Sequence, residues 1–367
     1  MDSIVLLHYL HQHYPTQLRA IHCNHHLSNY ADQWQQFCQT TCQQLGVGLT
    51  SVDLALDGSS NLEQQARDAR YHAINCQLQE GEVLCTAHHQ NDQAETLLLQ
   101  LFRGAGSAGL AAMPKAKPLG KGVHYRPMLS LSKAAIEAYA KQHKLQWIED
   151  DSNKNVHFRR NYLRLEILPK LDNLYQNLVE SLARSAKHQA EALQLNQDLA
   201  KLDIEQNDLL SQAGRLRVSA LNSLADYRLK NVIRYQLTQL DFSLPSDKVM
   251  MQMLQLLRAK EDASPLVSWG AFEVRRFQDE LYFINTQHDN APVDCALFDE
   301  FKHQEGFSIA YRQAGQRVRL PGKSHSQSLK KLLQEAGIPP WERNTLRMYY
   351  IDDELRAMEK LGYLSED

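Results

Sequence analysis

Four things are missing from this 367-residue sequence. No uninterrupted apolar stretch approaches the roughly 20 residues of a membrane-spanning helix, which removes the α-helical integral-membrane classes. No large excess of charge is present. The net charge is −3, so the chain as a whole is no generic binder of polyanions, and any nucleic-acid surface must be a local patch. None of the six cysteines stands in a C-x-x-C pair. Cys38 and Cys42 fall one helical turn apart and read as two small, half-buried residues in a reducing cytosol rather than half a metal site. No internal repeat, low-complexity tract or signal-peptide pattern is visible, and the expected compartment is the cytoplasm.

What is present is ordinary in bulk and specific in places. Hydrophobic residues make up 43% and charged residues 23%, as in soluble globular chains, and the length predicts two or three domains. The first half alternates. Helices are expected near 3–13, 31–45, 61–79, 90–103 and 132–144, with strands near 18–23, 48–54 and 82–87 and a short apolar stretch at Tyr125–Leu129. Alternation of this kind predicts parallel crossovers and a doubly wound α/β sheet. From about 159 helical periodicity dominates, closing with a hairpin around WGAFEVRRFQDELYFI. The remainder reads as a small α+β unit with a strand at RVRLPGK and a helix at SLKKLLQEAG. The expected domains are 1–158, 159–288 and 289–367. One feature is odd: Asp2 and Ser3 cap a helix with no strand before it, although the alternation asks for one.

Ligands of open α/β sheets bind beyond the carboxyl ends of the strands. Two clusters fall there, His22–His26 after LRAI and Thr86–Thr96 after EVLC. Each leads into a helix, whose first N–H groups favour anions. His88, Asp92 and Glu95 are spaced so that the two carboxylates share a helix face with the histidine at its mouth. Such a set can bind Mg²⁺, act as a general base or grip a cationic substrate. The plainer alternative is a helix cap at Asp92 with solvated neighbours. Arg159, Arg160 and Arg164 open a later helix. Arg160 and Arg164 share a face suited to phosphate, the alternative being a charged surface helix paired with Glu166.

The motifs TAHHQNDQAETLLLQLFRGAGSAGLAAM, AIHCNHHLS, EQQARDARY, WIEDDSN and RRNYLR closely resemble the signature of bacterial tRNA(Ile)-lysidine synthetases. EDASPLVSWGAFEVRRFQDELYF and LKKLLQEAGIPPWERNTLRMYY resemble that family's middle and C-terminal regions, so the likeness runs along nearly the whole chain. The family belongs to the PP-loop ATP pyrophosphatases, which implies a Rossmann-like catalytic domain, a mainly helical tRNA-contacting domain and a small tRNA-binding C-terminal domain. Its phosphate loop has the form Ser-Gly-Gly-x-Asp-Ser, of which only Met1, Asp2 and Ser3 match here. The resemblance therefore leads to the expectation that a strand and the Ser-Gly-Gly precede Met1 in a longer natural protein.

The implied reaction ligates L-lysine to C2 of the wobble cytidine of a tRNA(Ile) with a CAU anticodon. It consumes ATP with Mg²⁺ and passes through an adenylated cytidine, releasing pyrophosphate and then AMP. The resemblance assigns Asp2, Ser3, Ile21, His22 and Asn24 to ATP. It assigns His88, Asp92 and Glu95 to the lysine and cytidine pocket, and Arg67 or Arg70 to a carboxylate or tRNA phosphate. Arg103, Arg160 and Arg164 become phosphate candidates. Lys330 and Lys331, with Arg317, Arg319, Lys323, Arg343 and Arg347, make the C-terminal unit locally basic and suited to tRNA. A homodimer is carried as an alternative to a monomer. Two rivals remain at this point: a thiolase of the same superfamily, which the lack of C-x-x-C disfavours, and a tRNA-binding protein without catalysis.

Overall fold

A computed structural model describes residues 1–26, 28, 30–54, 62–149, 153, 155–259, 265–287, 295–319 and 325–364. The expected loop residues Asp150, Asp151 and Ser152, together with Lys323, lie outside them. The chain forms two compact units, Met1–Asn196 and Gln197–Asp367.

The first unit opens with α1 (Asp2–His13), β1 (Arg19–Asn24), α2 (Ala31–Leu45), β2 (Gly48–Asp53) and α3 (Leu62–Gln77). It continues with β3 (Val83–Cys85), α4 (Gln90–Phe102), α5 (Ser107–Leu110), β4 (Ala116–Leu119), β5 (Gly122–Tyr125) and α6 (Lys133–Gln142). After α7 (Arg159–Tyr162) comes a π-helical turn at Leu163–Ile167, then α8 (Leu168–Asp172) and the start of α9 (Leu178–Gln206). Helix α2 stops where Gly46 takes a left-handed conformation at φ 67°, which costs glycine little.

The parallel α/β character is as expected, but the sheet is divided into two blocks. β1 and β2 pair in parallel from Arg19↔Gly48 to Asn24↔Asp53. β3 pairs in parallel with β5, and β5 in turn pairs antiparallel with β4. The Arg19 side chain ties the blocks together, donating Nε to Glu82 Oε1 at 2.8 Å and Nη2 to the Gln77 carbonyl at 2.7 Å. The β4–β5 hairpin was not anticipated by the sequence reading, which had one apolar stretch at Tyr125–Leu129. Its two-residue turn uses Gly120 at φ 53°, where a Cβ would come within 1.8 Å of Asn75 Oδ1. WIED, read as an element after α6, is not a strand over its described residues.

Helices α1 and α6 pack together through Val5, Leu6, Ile136 and Ala140, with Met128 and half-buried Cys85 and Trp147 beside them. That packing brings the first turns of α1 and α6 side by side at the carboxyl end of β3. A second apolar seam, Leu98 with Leu163 and Leu168, holds the α7–α8 segment against α4.

In the second unit, helices Asp226–Gln239 and Asp247–Arg258 pack on a three-stranded antiparallel sheet, with Val232, Ile233, Met250 and Leu257 almost fully buried. The expected hairpin is its last two strands, Phe272–Phe277 and Glu280–Asn285. A separate four-stranded antiparallel sheet, completed by Phe307–Tyr311, Arg347–Ile351, Glu354–Met358 and Gly362–Tyr363, carries the helix Leu329–Glu335. The strand expected at RVRLPGK is short, Arg317–Val318 within the described residues. No helix among the described residues is long and apolar enough to cross a membrane.

Ile136 has no solvent exposure and sits on α6 one turn from Lys133. An Ile136→Ala change leaves a cavity under both helices and is expected to lower the stability of the first unit by about 2–4 kcal/mol. Chemical denaturation reads the loss, and a change below about 1 kcal/mol would show that the α1–α6 seam is not a cavity-sensitive core.

Candidate active site

The site is built at the β3–α4 junction. Cys85 ends β3, and Thr86, Ala87 and His88 cross to His89, the N-cap of α4. His89 Nδ1 accepts from the Asn91 N–H at 3.3 Å, and Asp92 Oδ2 accepts from the His89 N–H at 2.9 Å. The two side chains thereby satisfy helix N–H groups that have no carbonyl partner. Asp92 thus caps the helix, as the plainer sequence alternative had it, but its neighbours Gln93, Ala94 and Glu95 are buried rather than solvated. It also faces outward from that role, accepting at Oδ1 from Arg164 Nη2 at 3.3 Å.

Glu95 has no solvent exposure. Arg164 grips it with two bonds, Nε to Oε1 at 2.7 Å and Nη2 to Oε2 at 2.9 Å. Arg160 Nε lies 3.6 Å from the same carboxylate, and its Nη2 donates to Thr96 Oγ1 at 2.9 Å. Burial pushes the Glu95 carboxyl up, and the Arg164 guanidinium pulls it back toward the ionised form. The alternative pairing of these arginines with Glu166 is not seen, because Glu166 pairs with Lys170 at 3.1 Å. Arg164 rides on the π-helical turn. Pro169, just beyond that turn, has no N–H to return to the Leu165 carbonyl, a local reason for the register change.

Asp2, in the first turn of α1, meets Lys133 Nζ at 2.9 and 3.1 Å and lies 3.7 Å from His89 Nε2. Burial opposes ionisation of Asp2, but the nearby His89 ring and the Lys133 ammonium outweigh it and hold the carboxyl well below its usual range. Neither Lys133 nor His89 was singled out by the sequence reading, since Lys133 is 131 residues away and His89 looked like one of a run.

His88 faces a second set of groups that sequence reasoning also missed. Its Nδ1 lies 2.7 Å from Thr86 Oγ1, which lies 2.8 Å from His124 Nε2. Arg126 Nη2 approaches His124 Nδ1 at 3.2 Å, and Arg126 Nη1 donates to the Pro114 carbonyl at 2.7 Å. His124 is fully buried and Arg126 is 2% exposed. Burial pushes His88 down to about 4 despite the pull of Asp92, and the cations Arg126, Arg160 and Arg67 lower it further. Burial and then Arg126 push His124 down to about 3.

The remaining expected residues are placed less centrally. Ser3 is exposed on α1, and Ile21 and His22 are half-buried on β1, with His22 Nδ1 3.7 Å from Cys38 Sγ. Asn24 is buried and clamps the loop after β1, donating to Gln35 Oε1 at 3.0 Å and accepting from the His26 N–H at 2.9 Å. Arg67 lies over the Tyr71 ring, 5.4 Å from its centroid, and Arg70 bonds His25 Nε2 at 2.9 Å. Arg103 is exposed beyond the far end of α4, which places it about 20 Å along the helix from His88 at 1.5 Å per residue. In the second unit Lys330 is exposed, and Lys331 forms an exposed pair with Glu335 at 3.7 Å. Arg343, expected among the surface cations, is buried and donates Nε to the Ile338 carbonyl at 2.7 Å. No cluster of three or more His, Cys, Asp or Glu side chains fit to hold a metal occurs among the described residues.

Comparison with known proteins gives this geometry a family. A PP-loop domain family matches residues 1–171, the TilS substrate binding domain matches 216–282, and the TilS substrate C-terminal domain matches 307–366. The tRNA(Ile)-lysidine synthase of Coxiella burnetii is 37% identical over 99% of this chain and 87% of its own length. The chain belongs to the tRNA(Ile)-lysidine synthase family. Relatives of the same name from Legionella pneumophila (strain Paris) and Pseudomonas aeruginosa are 36% and 37% identical, over 100% and 98% of this chain. They are covered over 90% and 88% of their own lengths. The PP-loop match makes the first unit an ATP-using fold.

Two measurements follow from the site. In the unfolded chain His88 and His124 titrate near 6.5, and in the fold they titrate near 4 and 3. Between those values the unfolded chain binds more protons, so stability rises with pH across that window. Each histidine contributes a slope of up to about 1.4 kcal/mol per pH unit. Urea titrations in pH steps are expected to show a His124→Gln variant with a visibly flatter slope, and an unchanged slope would sink the assignment. Separately, a double-mutant cycle on Glu95→Gln and Arg164→Gln is expected to give a coupling of about 2 kcal/mol, as for a network with a desolvated partner. A coupling near zero would mean that the pair is not one unit.

Proposed function

We propose that this chain ligates L-lysine to C2 of the wobble cytidine in a tRNA(Ile) with a CAU anticodon, using ATP and forming lysidine. The observation that carries the reading is similarity along nearly the full chain to relatives bearing that name. The junction of Asp2, His88, Asp92, Glu95 and Arg164 gives it a chemical setting. In the first step the cytidine O2 attacks the α-phosphorus of ATP and pyrophosphate leaves. In the second the lysine ε-amine attacks C2 and the O2 departs within AMP.

Mg²⁺ bound with ATP would supply charge neutralisation to the departing pyrophosphate. Asp2 is the carboxylate that would hold such an ion in exchange for its bonds to Lys133, and Lys133 would then balance phosphate charge as pyrophosphate forms. Ser3, at the start of α1, meets the phosphates, and Ile21 and His22 flank the nucleoside. His88 contacts the cytidine, which the anticodon loop presents without breaking a duplex. The lysine amine has a free pKa near 10.4, so neutralising it at pH 7 costs about 4.6 kcal/mol, and a desolvated pocket lowers that cost. Asp92 supplies local negative charge for the substrate's amino groups, with Glu95 and Arg164 holding it in place. Residues 1–158 form the catalytic domain, and 159–288 and 289–367 contact the tRNA, Lys330 among the cations that do so. The reaction belongs to the cytoplasm.

The test is incorporation of labelled lysine into a CAU-anticodon tRNA(Ile) transcript by the purified chain, with ATP and Mg²⁺ supplied and release of pyrophosphate followed in parallel. Lysine transfer that depends on ATP is expected, and Asp92→Asn is expected to reduce it at least about tenfold. Tight binding of the tRNA with no ATP turnover would instead favour a tRNA-binding protein without catalysis.

A further inference from the structure

We infer that Arg126, His124 and Thr86 are a positioning chain that fixes His88 in one tautomer, with Nδ1 as acceptor and the Nε2–H held out as a hydrogen-bond donor. The constraint begins at Arg126. A guanidinium only donates, so His124 Nδ1, 3.2 Å from Arg126 Nη2, has to accept. His124 is fully buried with Arg126 against it, and both conditions keep its ring neutral. A neutral imidazole that accepts at Nδ1 carries its proton on Nε2. That nitrogen is 2.8 Å from Thr86 Oγ1, so His124 donates to the hydroxyl. The hydroxyl then has one proton to give, and its other ring partner is His88 Nδ1 at 2.7 Å.

The opposite assignment leaves the hydroxyl proton of Thr86 without a partner among the described residues. With hydrogen on His88 Nδ1, Thr86 Oγ1 would receive from both rings, and its own proton would point to neither. With the proton on His88 Nε2, the hydroxyl proton is also used, passing to His88 Nδ1, and no donor of the chain from His124 to His88 is left over. Two neighbours reinforce the direction. Arg126 is anchored at Nη1 to the Pro114 carbonyl, and the Tyr71 ring packs 5.6 Å from the His124 ring, limiting rotation of either group. Imidazole orientation is therefore set from behind, by groups that never meet a substrate.

The consequence is functional. His88 offers the site a donor, and its Nε2 takes up no proton while the ring is neutral. On the proposed reaction, on which this step rests, the matching group is a lone-pair acceptor of the target base. The proton released by the attacking amine then leaves by another route. Thr86, His124 and Arg126 are positioning residues, since they act only through His88.

Long-range proton–nitrogen correlation spectra of the full chain, with ring-¹⁵N histidine at neutral pH, read the tautomer directly, and a His88→Gln spectrum identifies the His88 signals. Expected are a protonated-type Nε2 and an unprotonated-type Nδ1 for His88. Thr86→Val is expected to release His88 into a mixture of tautomers and to lower kcat for lysine transfer about tenfold, the size of one lost hydrogen bond, with KM for ATP unchanged. Thr86→Ser restores both. A parent spectrum with the proton on His88 Nδ1 overturns the inference, as does a folded Thr86→Val protein that keeps the parent tautomer. The spectrum is read without turnover, so it is decided independently of whether lysidine forms.

Discussion

A carboxylate with no exposure to water stays ionised in a protein interior only if a cation and hydrogen bonds replace its hydration. Glu95 meets that condition through the two-pronged contact with Arg164, with Arg160 beside it. The pair does more than neutralise charge. It fastens the first turns of α4 to the π-helical turn, and the apolar seam of Leu98, Leu163 and Leu168 closes the same two segments below it. The same Nη2 that meets Glu95 also reaches Asp92, whose other oxygen caps α4. The orientation of the strand-to-helix junction therefore depends on a buried ion pair formed between residues 69 positions apart.

Two adjacent histidines at that junction are sent in opposite directions by ordinary helix geometry. His89 is the N-cap, so its ring folds over the first turn and points toward Asp2 and Asp92. His88, one residue before the cap, points toward Thr86 and the hairpin strand β5 that carries His124. One ring thus belongs to the acidic side of the site and the other to a buried polar network. The ring and hydroxyl contacts of that network rigidify its members, while the buried Arg126 Nε is left without a hydrogen-bond partner among the described residues. The β4–β5 hairpin matters for this reason. It is the element that brings His124 and Arg126 behind the site.

Much of this was legible in sequence where the signal is local. α2 has its expected bounds, 31–45, because a half-buried helical face ends at a glycine that adopts the left-handed region. The spacing of His88, Asp92 and Glu95 marked a junction that follows a strand and opens a helix, and the structure has that strand and that helix there. What sequence could not give was partnership across long separations. Lys133 on Asp2 and Arg164 on Glu95 are set by packing of α6 and of the π turn, which no spacing encodes. The β4–β5 hairpin was missed although Gly-Lys between two short strands is a turn signal, because its strands are only four residues each. The C-terminal hairpin turns at Asp352 and Asp353, both at positive φ, a conformation that Asp tolerates better than most residues but does not advertise.

The distribution of engaged and unengaged cations orders the phosphate candidates more sharply than their number does. An arginine locked on a buried carboxylate cannot leave it for a phosphate without stranding that carboxylate, a cost larger than one exposed contact returns. Arg164 is in that position, and Arg160 partly so. Arg126 is enclosed and directed at a histidine. Arg67 and Lys117 both lie over Tyr71, and neither has an ion pair among the described residues. Both contribute to holding His124 below its ordinary value, so their positive field reaches the network behind His88. A polyanionic substrate approaching His88 therefore meets uncompensated positive charge on the Tyr71 side and compensated charge on the Glu95 side. The charge around His88 is therefore one-sided, and that asymmetry is set by which carboxylates are buried.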